Sequence, residues 1–131
     1  SVCISADVTA AYDPHYASAY EAQNSCYING GLGIAKYTGS RGKGGTNDAN
    51  AEFVGRIRRT FDDADVLWQI GELGKVDQGG GGTVAKFIAN LNVDVIDVGV
   101  PVLSMHAPFE VVSKLDVYMA YKGFKAFFEE K

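Results

Sequence analysis

The sequence predicts an α/β protein in which helices pack as layers against a sheet. Short apolar segments rich in β-branched residues, such as Val93–Val98, alternate with segments whose apolar residues recur at helical spacing. Alternation of this kind is typical of an αβα layered sandwich. With 131 residues, the chain is long enough to bury a core and corresponds to one domain or to part of one.

The strands are predicted from apolar segments bounded by turn residues. They are Ser1–Ser5, Gly33–Tyr37, Val66–Ile70 and Val93–Val98. We expect Asp7 where the first strand ends. The segment Val102–Met105 either continues the last strand or forms a new one after Pro101.

Three amphipathic helices are predicted. The first runs from a cap at Thr46 or Asn47 to about Phe61, and the second covers Thr83–Asn90. The third begins near Ser113, which opens an S-x-x-D capping pattern. The apolar positions expected to form one stripe on each helix are Phe53, Val54, Ile57 and Phe61; Val84, Phe87, Ile88 and Leu91; and Val117, Tyr121, Phe124 and Phe128.

The composition argues against several classes of protein. The net charge of -4 offers no surface for a polyanion, so we expect no nucleic-acid partner. No apolar run is long enough to cross a bilayer and no signal peptide is recognisable, so we expect no membrane partner. Cys3 and Cys26 are too few for a disulfide framework, which favours a reducing compartment and hence the cytoplasm. The chain begins inside a strand-like segment without an initiating methionine, and we therefore expect it to be part of a longer protein.

His106 lies where a buried strand opens onto the edge of the sheet. In α/β proteins this is the edge where ligands and metals collect. Pro108 restricts the backbone just after the histidine, and Glu110 is close enough in sequence to orient either the imidazole or the loop. From the residues alone, His106 is either a metal ligand or a structural histidine, and Glu110 is equally compatible with an exposed loop acid.

Asp7 and Lys36 are two further candidates. A carboxylate at the predicted end of a strand, after small residues, suits a hard or borderline cation, although it is also typical of a turn. Lys36, at the end of another predicted strand, is placed to contact a carboxylate or a carbonyl group. Its alternative is an exposed strand lysine.

A glycine-rich segment, Gly79–Gly82, leads into the predicted second helix. It matches neither the P-loop pattern nor the dinucleotide-binding pattern. Free N–H groups at the start of a helix can bind an anion. The better functional interpretation is a loop whose backbone approaches a bound peptide, and a flexible turn is the alternative.

Four stretches of the chain, taken together and in order, resemble the C-terminal part of the catalytic domain of M18-family zinc aminopeptidases. This family contains the aminopeptidase I and aspartyl aminopeptidase groups. The stretches are Ser5–Pro14, Lys36–Arg41, Gly71–Thr83 and Val98–His106. The resemblance runs essentially end to end. It implies an αβα sandwich of the zinc-peptidase type, in which residues 1–131 form the C-terminal portion of a catalytic domain whose upstream portion is absent from this chain.

The resemblance implies that the chain supplies part of a dizinc site. Asp7 matches the aspartate on one zinc ion and His106 the histidine on the other, and cobalt or manganese can occupy such sites. The residues expected at the substrate are Lys36, Gly81, Gly82 and Thr83. The family's first histidine, its bridging aspartate and its adjacent Glu-Glu pair lie upstream. We therefore expect no catalytic residue in this chain and no activity from it alone.

The resemblance also implies an aminopeptidase that removes N-terminal residues from peptides through metal-activated water. The aspartyl subgroup has histidines at the positions of Ala10 and Asp13, so we expect neutral or hydrophobic N-terminal residues, while Lys36 keeps acidic residues open. The implied partners are a peptide, the remainder of the domain and further copies, twelve in the family's assemblies. The alternative hypothesis is a metal-free α/β interaction or assembly module in which Asp7 and His106 are structural.

Overall fold

The computed structural model describes residues 1–20, 22–40, 44–72 and 82–130, with the backbone alone for 38–40 and 44–47. Its elements in chain order are β1 (Val2–Ala10), β2 (Leu32–Ala35), β3 (Tyr37–Ser40), β4 (Gly44–Asp48), α1 (Ala51–Asp63), β5 (Trp68–Ile70), α2 (Ala85–Ala89), β6 (Asp94–Leu103), β7 (Val111–Val112) and α3 (Lys114–Glu129). Two short 3-10 segments, Pro14–Ala19 and Ala22–Asn24, connect β1 to β2.

A five-stranded mixed sheet forms the centre of the fold. Four strands lie in the order β1–β6–β2–β5, and β7 pairs with the end of β6. β1 and β6 are parallel along their whole length, from Val2 opposite Asp94 to Ala10 opposite Val102. β2 is antiparallel to β6 and parallel to β5, while β3 and β4 form a separate hairpin. The α/β class predicted from the sequence is confirmed.

The even-numbered residues of β1, β2 and β6 form one face of the sheet, because successive side chains of a strand point to opposite sides. We call it the helix-covered face. Its central residues are at most 1% exposed: Leu32, Ile34, Ile96 and Val98. α1 packs here with the stripe that the sequence predicted, Phe53, Val54, Ile57 and Phe61, all buried. α3 packs beside α1 on the same face.

The odd-numbered residues of the same strands form the opposite face, which we call the polar face. Its members include Ser5, Asp7, Asp97, Gly99 and Gly33. α2 packs against β6 on this side, and its one buried residue is Ala85. Helices therefore flank the sheet on both sides, as the αβα prediction requires.

The predicted start of the first helix is wrong. α1 begins at Ala51, and its N-cap is Asn50, whose side chain accepts two N–H groups of the first turn. Thr46 and Asn47 belong instead to β4, where backbone pairing with β3 holds them in the hairpin. Local capping preference is overridden here by strand pairing.

The apolar stripe predicted for the second helix is also wrong. α2 is only five residues long, and the side chains of Val84, Phe87 and Leu91 are 64%, 60% and 72% exposed. A helix this short contributes less than two turns to the core.

α3 begins as predicted, since the side chain of Ser113 accepts the N–H of Leu115. Its buried residues are nevertheless not the predicted stripe. They are Asp116, Ala120 and Gly123, while Val117, Tyr121 and Phe128 are exposed. Small residues are favoured where α3 meets the sheet, because a Cβ atom on Gly123 would lie 2.7 Å from Leu32 Cδ1. Of the helices that the structure describes, none has the length and apolar character needed to span a membrane.

Candidate functional site

Asp7 lies inside β1 and not at its end, so that prediction is wrong. β1 continues to Ala10 because β6 offers a parallel partner along its whole length. The side chain of Asp7 is exposed on the polar face. Its Oδ1 accepts the N–H of Val8 at 2.8 Å. The carboxylate is therefore presented to solvent from a rigid strand.

Gly99 is the register partner of Asp7 on β6. A Cβ atom at this position would lie 2.6 Å from the carbonyl oxygen of Asp7, far inside van der Waals contact. Only glycine lets the two backbones approach so closely.

His106 lies in the turn that follows β6, and its side chain is exposed. Ser104 and His106 have φ angles of 60° and 69°, in the left-handed region that residues other than glycine seldom adopt. The turn is held by two hydrogen bonds. The N–H of Ala107 donates to the Ser104 carbonyl at 3.0 Å, and the His106 N–H donates to Glu110 Oε1 at 2.6 Å. The side chain of Glu110 therefore fixes the loop by accepting the backbone N–H of His106.

Asp7 and His106 approach the same end of the sheet on neighbouring strands. β1 and β6 are parallel, and β6 continues from the level of Asp7 to Leu103 before the turn of His106 begins. Within residues 1–20, 22–40, 44–72 and 82–130, no group of three His, Cys, Asp or Glu side chains is placed to hold a metal ion. Protein zinc sites use three or four side-chain ligands. The two donors have the right chemistry for zinc, and the described residues do not complete a site.

Lys36 follows directly after β2. This strand is antiparallel to β6, and its last residue, Ala35, lies opposite Asp97. Its ammonium group forms an ion pair with Asp48 of β4, with 2.5 Å between Nζ and Oδ1. The two side chains are 43% and 52% exposed. Lys36 thus contacts a carboxylate of the protein itself at the base of the β3–β4 hairpin.

Gly82 and Thr83 lead directly into α2, and Gly81 lies outside the described residues. Gly82 is exposed and Thr83 is half-buried. The hydroxyl of Thr83 accepts the N–H of Ala85 at 3.2 Å. The side chain of Thr83 is therefore engaged with the protein.

Asp97 is a buried acid that the sequence reasoning did not assign to the site. It is only 6% exposed and lies beside Ser5 of β1 and Ala35 of β2. Burial raises the pKa of the Asp97 carboxyl group, the hydroxyls of Thr83 and Ser5 counteract this, and the charge of Asp7 adds to it. In the described part of the chain, neither carboxylate oxygen nor the Ser5 hydroxyl makes a hydrogen bond of acceptable geometry. The hydroxyls are thus near the carboxylate without being bonded to it.

The sequence did contain a sign of this residue. Asp97 is an acid in the interior of an otherwise apolar strand, Asp94–Leu103. When such a strand is buried, the side chain of the acid is buried with it. Its neighbours on β1 and near α2 could not be read from the sequence, because they are distant along the chain.

Cys26 provides no reactive group. Cys3 and Cys26 are both free thiols, as the prediction of no disulfide framework required. Burial first, and the charge of Asp116 second, raise the pKa of the Cys26 thiol to about 12. A buried thiol of this kind stays protonated and is a poor nucleophile.

Comparison with known proteins identifies relatives of the whole chain. The family model for the aminopeptidase I zinc metalloproteases (M18) matches residues 1–128. The chain is 51% identical over 127 residues to the probable M18 family aminopeptidase 1 of Clostridium acetobutylicum, a match that covers 97% of this chain and 27% of that protein.

Two crystal structures have the same fold. Aminopeptidase I from Clostridium acetobutylicum superposes with a TM-score of 0.93 at 50% identity, over 97% of this chain and 28% of its own. The M18-family aminopeptidase from Thermotoga maritima has a TM-score of 0.93 at 48% identity, over 98% of this chain and 28% of its own. The chain thus spans less than a third of the length of these relatives. It belongs to the M18 family, the aminopeptidase I zinc metalloproteases.

Proposed function

We propose that this chain is the C-terminal portion of the catalytic domain of a zinc aminopeptidase that removes N-terminal residues from peptides. The observation that carries the proposal is the loop of His106. Ser104 and His106 have left-handed backbone conformations, and the His106 N–H donates a 2.6 Å hydrogen bond to Glu110 Oε1, which holds the loop in this strained conformation with the imidazole exposed. Strain of this kind costs about 1–3 kcal/mol per residue and is concentrated at functional sites. Membership of the M18 family supports the same assignment.

We assign Asp7 to one of two zinc ions and His106 to the other. A carboxylate oxygen and an imidazole nitrogen are both ordinary zinc ligands, and cobalt or manganese suits the same donors. Zinc bound there supplies a water of lowered pKa and polarises the peptide carbonyl group. The remaining ligands and the general base come from the part of the domain that precedes this chain in our proposal.

The roles of the neighbouring residues follow from their contacts. Glu110 positions His106 by accepting the backbone N–H group of His106, so the effect of Glu110 on the metal is indirect. Gly82 offers an exposed backbone beside the polar face, which suits contact with the main chain of a peptide. Thr83 contributes its backbone in the same way, because its hydroxyl already accepts an N–H group of α2.

We propose a preference for neutral or hydrophobic N-terminal residues. Lys36 is the cation that would favour an acidic residue, and the carboxylate of Asp48 already neutralises it. Exposed ion pairs are weak, so this pairing reduces the attraction of Lys36 for an acid without abolishing it. Hydrolysis of leucyl and aspartyl p-nitroanilides by the full-length protein measures the preference. A higher kcat/KM for the aspartyl substrate would contradict it.

The assignment of the metal ligands is tested with Asp7→Ala and His106→Ala in the full-length protein. Removal of a direct ligand should reduce zinc content and lower kcat/KM by more than about 100-fold, since even residues behind the ligands contribute 10–100-fold. Matched controls are Asp94→Ala, an exposed acid at the start of β6, and His15→Ala, the other histidine, which is also exposed. Unchanged zinc content in both ligand variants would contradict the ligand assignment, and a full-length wild type without stoichiometric zinc would favour the metal-free assembly module.

The chain by itself should be inactive. The described residues do not provide the three side chains that a zinc site needs. Purified 131-residue chain is expected to hydrolyse no peptide substrate and to retain no stoichiometric zinc after gel filtration. Turnover by this chain, free of other polypeptide, would disprove the proposal that the upstream part supplies the catalytic groups.

We further propose that the full-length protein forms a homo-oligomer and works in the cytoplasm. The free thiols of Cys3 and Cys26 are compatible with a reducing compartment. The mass of the purified protein, measured by light scattering, tests the assembly. Fractionation of its source cells tests the compartment.

A further inference from the structure

Two aspartates are buried in this fold, and they differ in their partners. Asp116 is 0% exposed, and its two oxygens accept the N–H groups of Asn29 and Gly31 at 2.8 Å each. Asp97 is 6% exposed, and within the described residues neither of its oxygens has a hydrogen-bond partner. Burying a carboxylate without partners opposes folding. Asp116 is therefore explained by stability, and Asp97 is not.

The neighbours of Asp97 come from β1, which carries the proposed metal ligand Asp7, and from the proposed substrate-binding segment Gly82–Thr83. Ser5 lies beside it in register on β1, two residues before Asp7 and on the same face of the sheet. The hydroxyl of Thr83 faces it from the start of α2. Asp97 thus lies between the strand that carries Asp7 and the segment Gly82–Thr83.

We infer that Asp97 is a positioning residue. By accepting hydrogen bonds from the hydroxyls of Thr83 and Ser5, it holds the Gly82–Thr83 backbone at a fixed distance from Asp7. This inference rests on the proposed aminopeptidase function. A hydroxyl group donates one hydrogen bond and accepts others, so Thr83 can donate to Asp97 while it accepts the N–H of Ala85. The Thr83 and Ser5 hydroxyls lie near the carboxylate without a hydrogen bond of acceptable geometry, so the inference requires them to turn toward it.

The consequence concerns how a peptide is held. If the Thr83 hydroxyl is directed into the protein, the segment presents only backbone N–H and C=O groups to a substrate. Backbone groups bind the main chain of a peptide without regard to its side chains. An error of about 1 Å in the position of such groups lowers the rate by about 100-fold, which is why a buried positioning residue would matter.

The kinetic test uses Asp97→Asn, Thr83→Val and the double variant in the full-length, zinc-loaded protein. Asparagine has the shape of aspartate but only one side-chain oxygen. It therefore cannot accept one hydroxyl hydrogen bond on each of two oxygens, as aspartate can. Each single variant should lower kcat/KM for leucyl p-nitroanilide by about 10–100-fold. The double variant should be no slower than Asp97→Asn alone, because both changes remove one interaction. Additive losses, or a loss of less than about twofold in Asp97→Asn, would overturn the inference.

A second measurement is independent of activity. Hydrogen exchange of the amide of Ala85 should be faster than in the wild type in Asp97→Asn, because the Thr83 hydroxyl loses the contact that orients it, and in Thr83→Val, because the hydroxyl that accepts this amide is gone. If the wild type is inactive but this change appears, the positioning stands and the proposed function fails. Unchanged exchange in Asp97→Asn would reject the positioning whatever the activity, and Thr83→Val gives the exchange rate expected when the hydroxyl is absent.

Two controls separate positioning from stability. Asp97→Asn should leave the midpoint of thermal unfolding nearly unchanged, because removal of a buried charge offsets the weakened hydrogen bonds from Thr83 and Ser5, whereas Asp116→Asn should lower it. A lowered midpoint in Asp97→Asn would make its role structural and refute the inference. Should Asp97→Asn fail to fold, Thr83→Ser decides. It keeps the hydroxyl and should retain the activity that Thr83→Val loses, and an equal loss in both would refute the inference.

Discussion

The two faces of the sheet are built from the same strands and both bury apolar side chains, but among the described strand residues only the polar face also buries a carboxylate. The helix-covered face places Leu32 and Ile96 under α1 and α3 with no exposed surface. The polar face buries the acid Asp97 and carries glycine at Gly99, where another protein would place an apolar residue. Burial on the helix-covered face stabilises the fold, whereas burial of the Asp97 carboxylate on the polar face costs folding free energy.

This difference separates stability from chemistry within one sheet. Apolar burial contributes about 25 cal/mol per Å², so the helix-covered face supplies most of the driving force for folding. The strands it stabilises are rigid enough to present charged groups at set positions on the other side. Functional sites are commonly supported in this way by a scaffold that is more stable than they are.

The largest effect is expected from Phe61→Ala, on the helix-covered face. Phe61 is 0% exposed, and its loss should lower the free energy of unfolding by about 3–5 kcal/mol. Denaturation by urea measures the change. Leu91→Ala is the control, since Leu91 is 72% exposed and should shift stability by less than about 0.5 kcal/mol. Equal effects of the two would mean that the helix-covered face is not the core.

An intermediate effect is expected from Gly99→Ala, on the polar face. The added Cβ atom would meet the Asp7 carbonyl oxygen at 2.6 Å, so β1 must move away from β6. We expect a loss of about 1–3 kcal/mol in unfolding free energy, together with a loss of zinc from the full-length protein.

Gly55→Ala is the matched control on α1. Its Cβ atom would meet only Arg59 Nη1, at 3.5 Å, and alanine favours a helix over glycine by about 1 kcal/mol. The two Gly→Ala variants should therefore change stability in opposite directions. A stable Gly99→Ala variant with full zinc content would show that the close approach at Asp7 is unimportant.

The smallest effect concerns an ion pair between the middle of α1 and the C-cap residue of α3. Glu130 accepts hydrogen bonds from Arg56 and Thr60, at 2.5 Å and 2.8 Å, and these bonds with the charge of Arg56 hold its pKa below the ordinary value. A lowered folded-state pKa stabilises the protein above the ordinary pKa of 4.5. This stability is lost as the pH falls through the folded-state pKa.

Glu130→Gln should therefore cost about 0.5 kcal/mol at pH 7 and less at pH 3, where the carboxylate is more protonated. The pair is partly exposed, with Arg56 at 40% and Glu130 at 22%, so solvent screening keeps the effect small. Urea denaturation at the two pH values measures it, with Glu129→Gln as the exposed neighbouring control. A cost at pH 3 equal to that at pH 7 would exclude a charge effect.

Local patterns in the sequence predicted what local physics controls. The stripe of α1 was correct because residues three and four apart share a helix face whatever the rest of the chain does. The start of α3 at Ser113 was correct because a cap bonds to N–H groups only two or three residues away.

The failures came from contacts that are distant along the chain. Tyr121 and Phe128 are more apolar than Ala120 and Gly123, but only the small residues fit where α3 crosses β2. Asp7 was expected at a strand end because its local sequence resembles a turn, and pairing with β6 extends the strand beyond it. In both cases packing outweighed local preference.

By itself, the sequence determined the family, the alternation of strands and helices, and the loop on which His106 and Glu110 lie. The family follows from the order of four short motifs along the chain, and the helices and the loop depend on hydrogen bonds and spacing between residues close in sequence. Only the tertiary structure decided that Ser5 lies beside Asp97, that Gly99 lies beside Asp7 and that Thr83 faces the same carboxylate. The register between two strands separated by more than eighty residues depends on burying one face of both at once, and no local pattern contains that information.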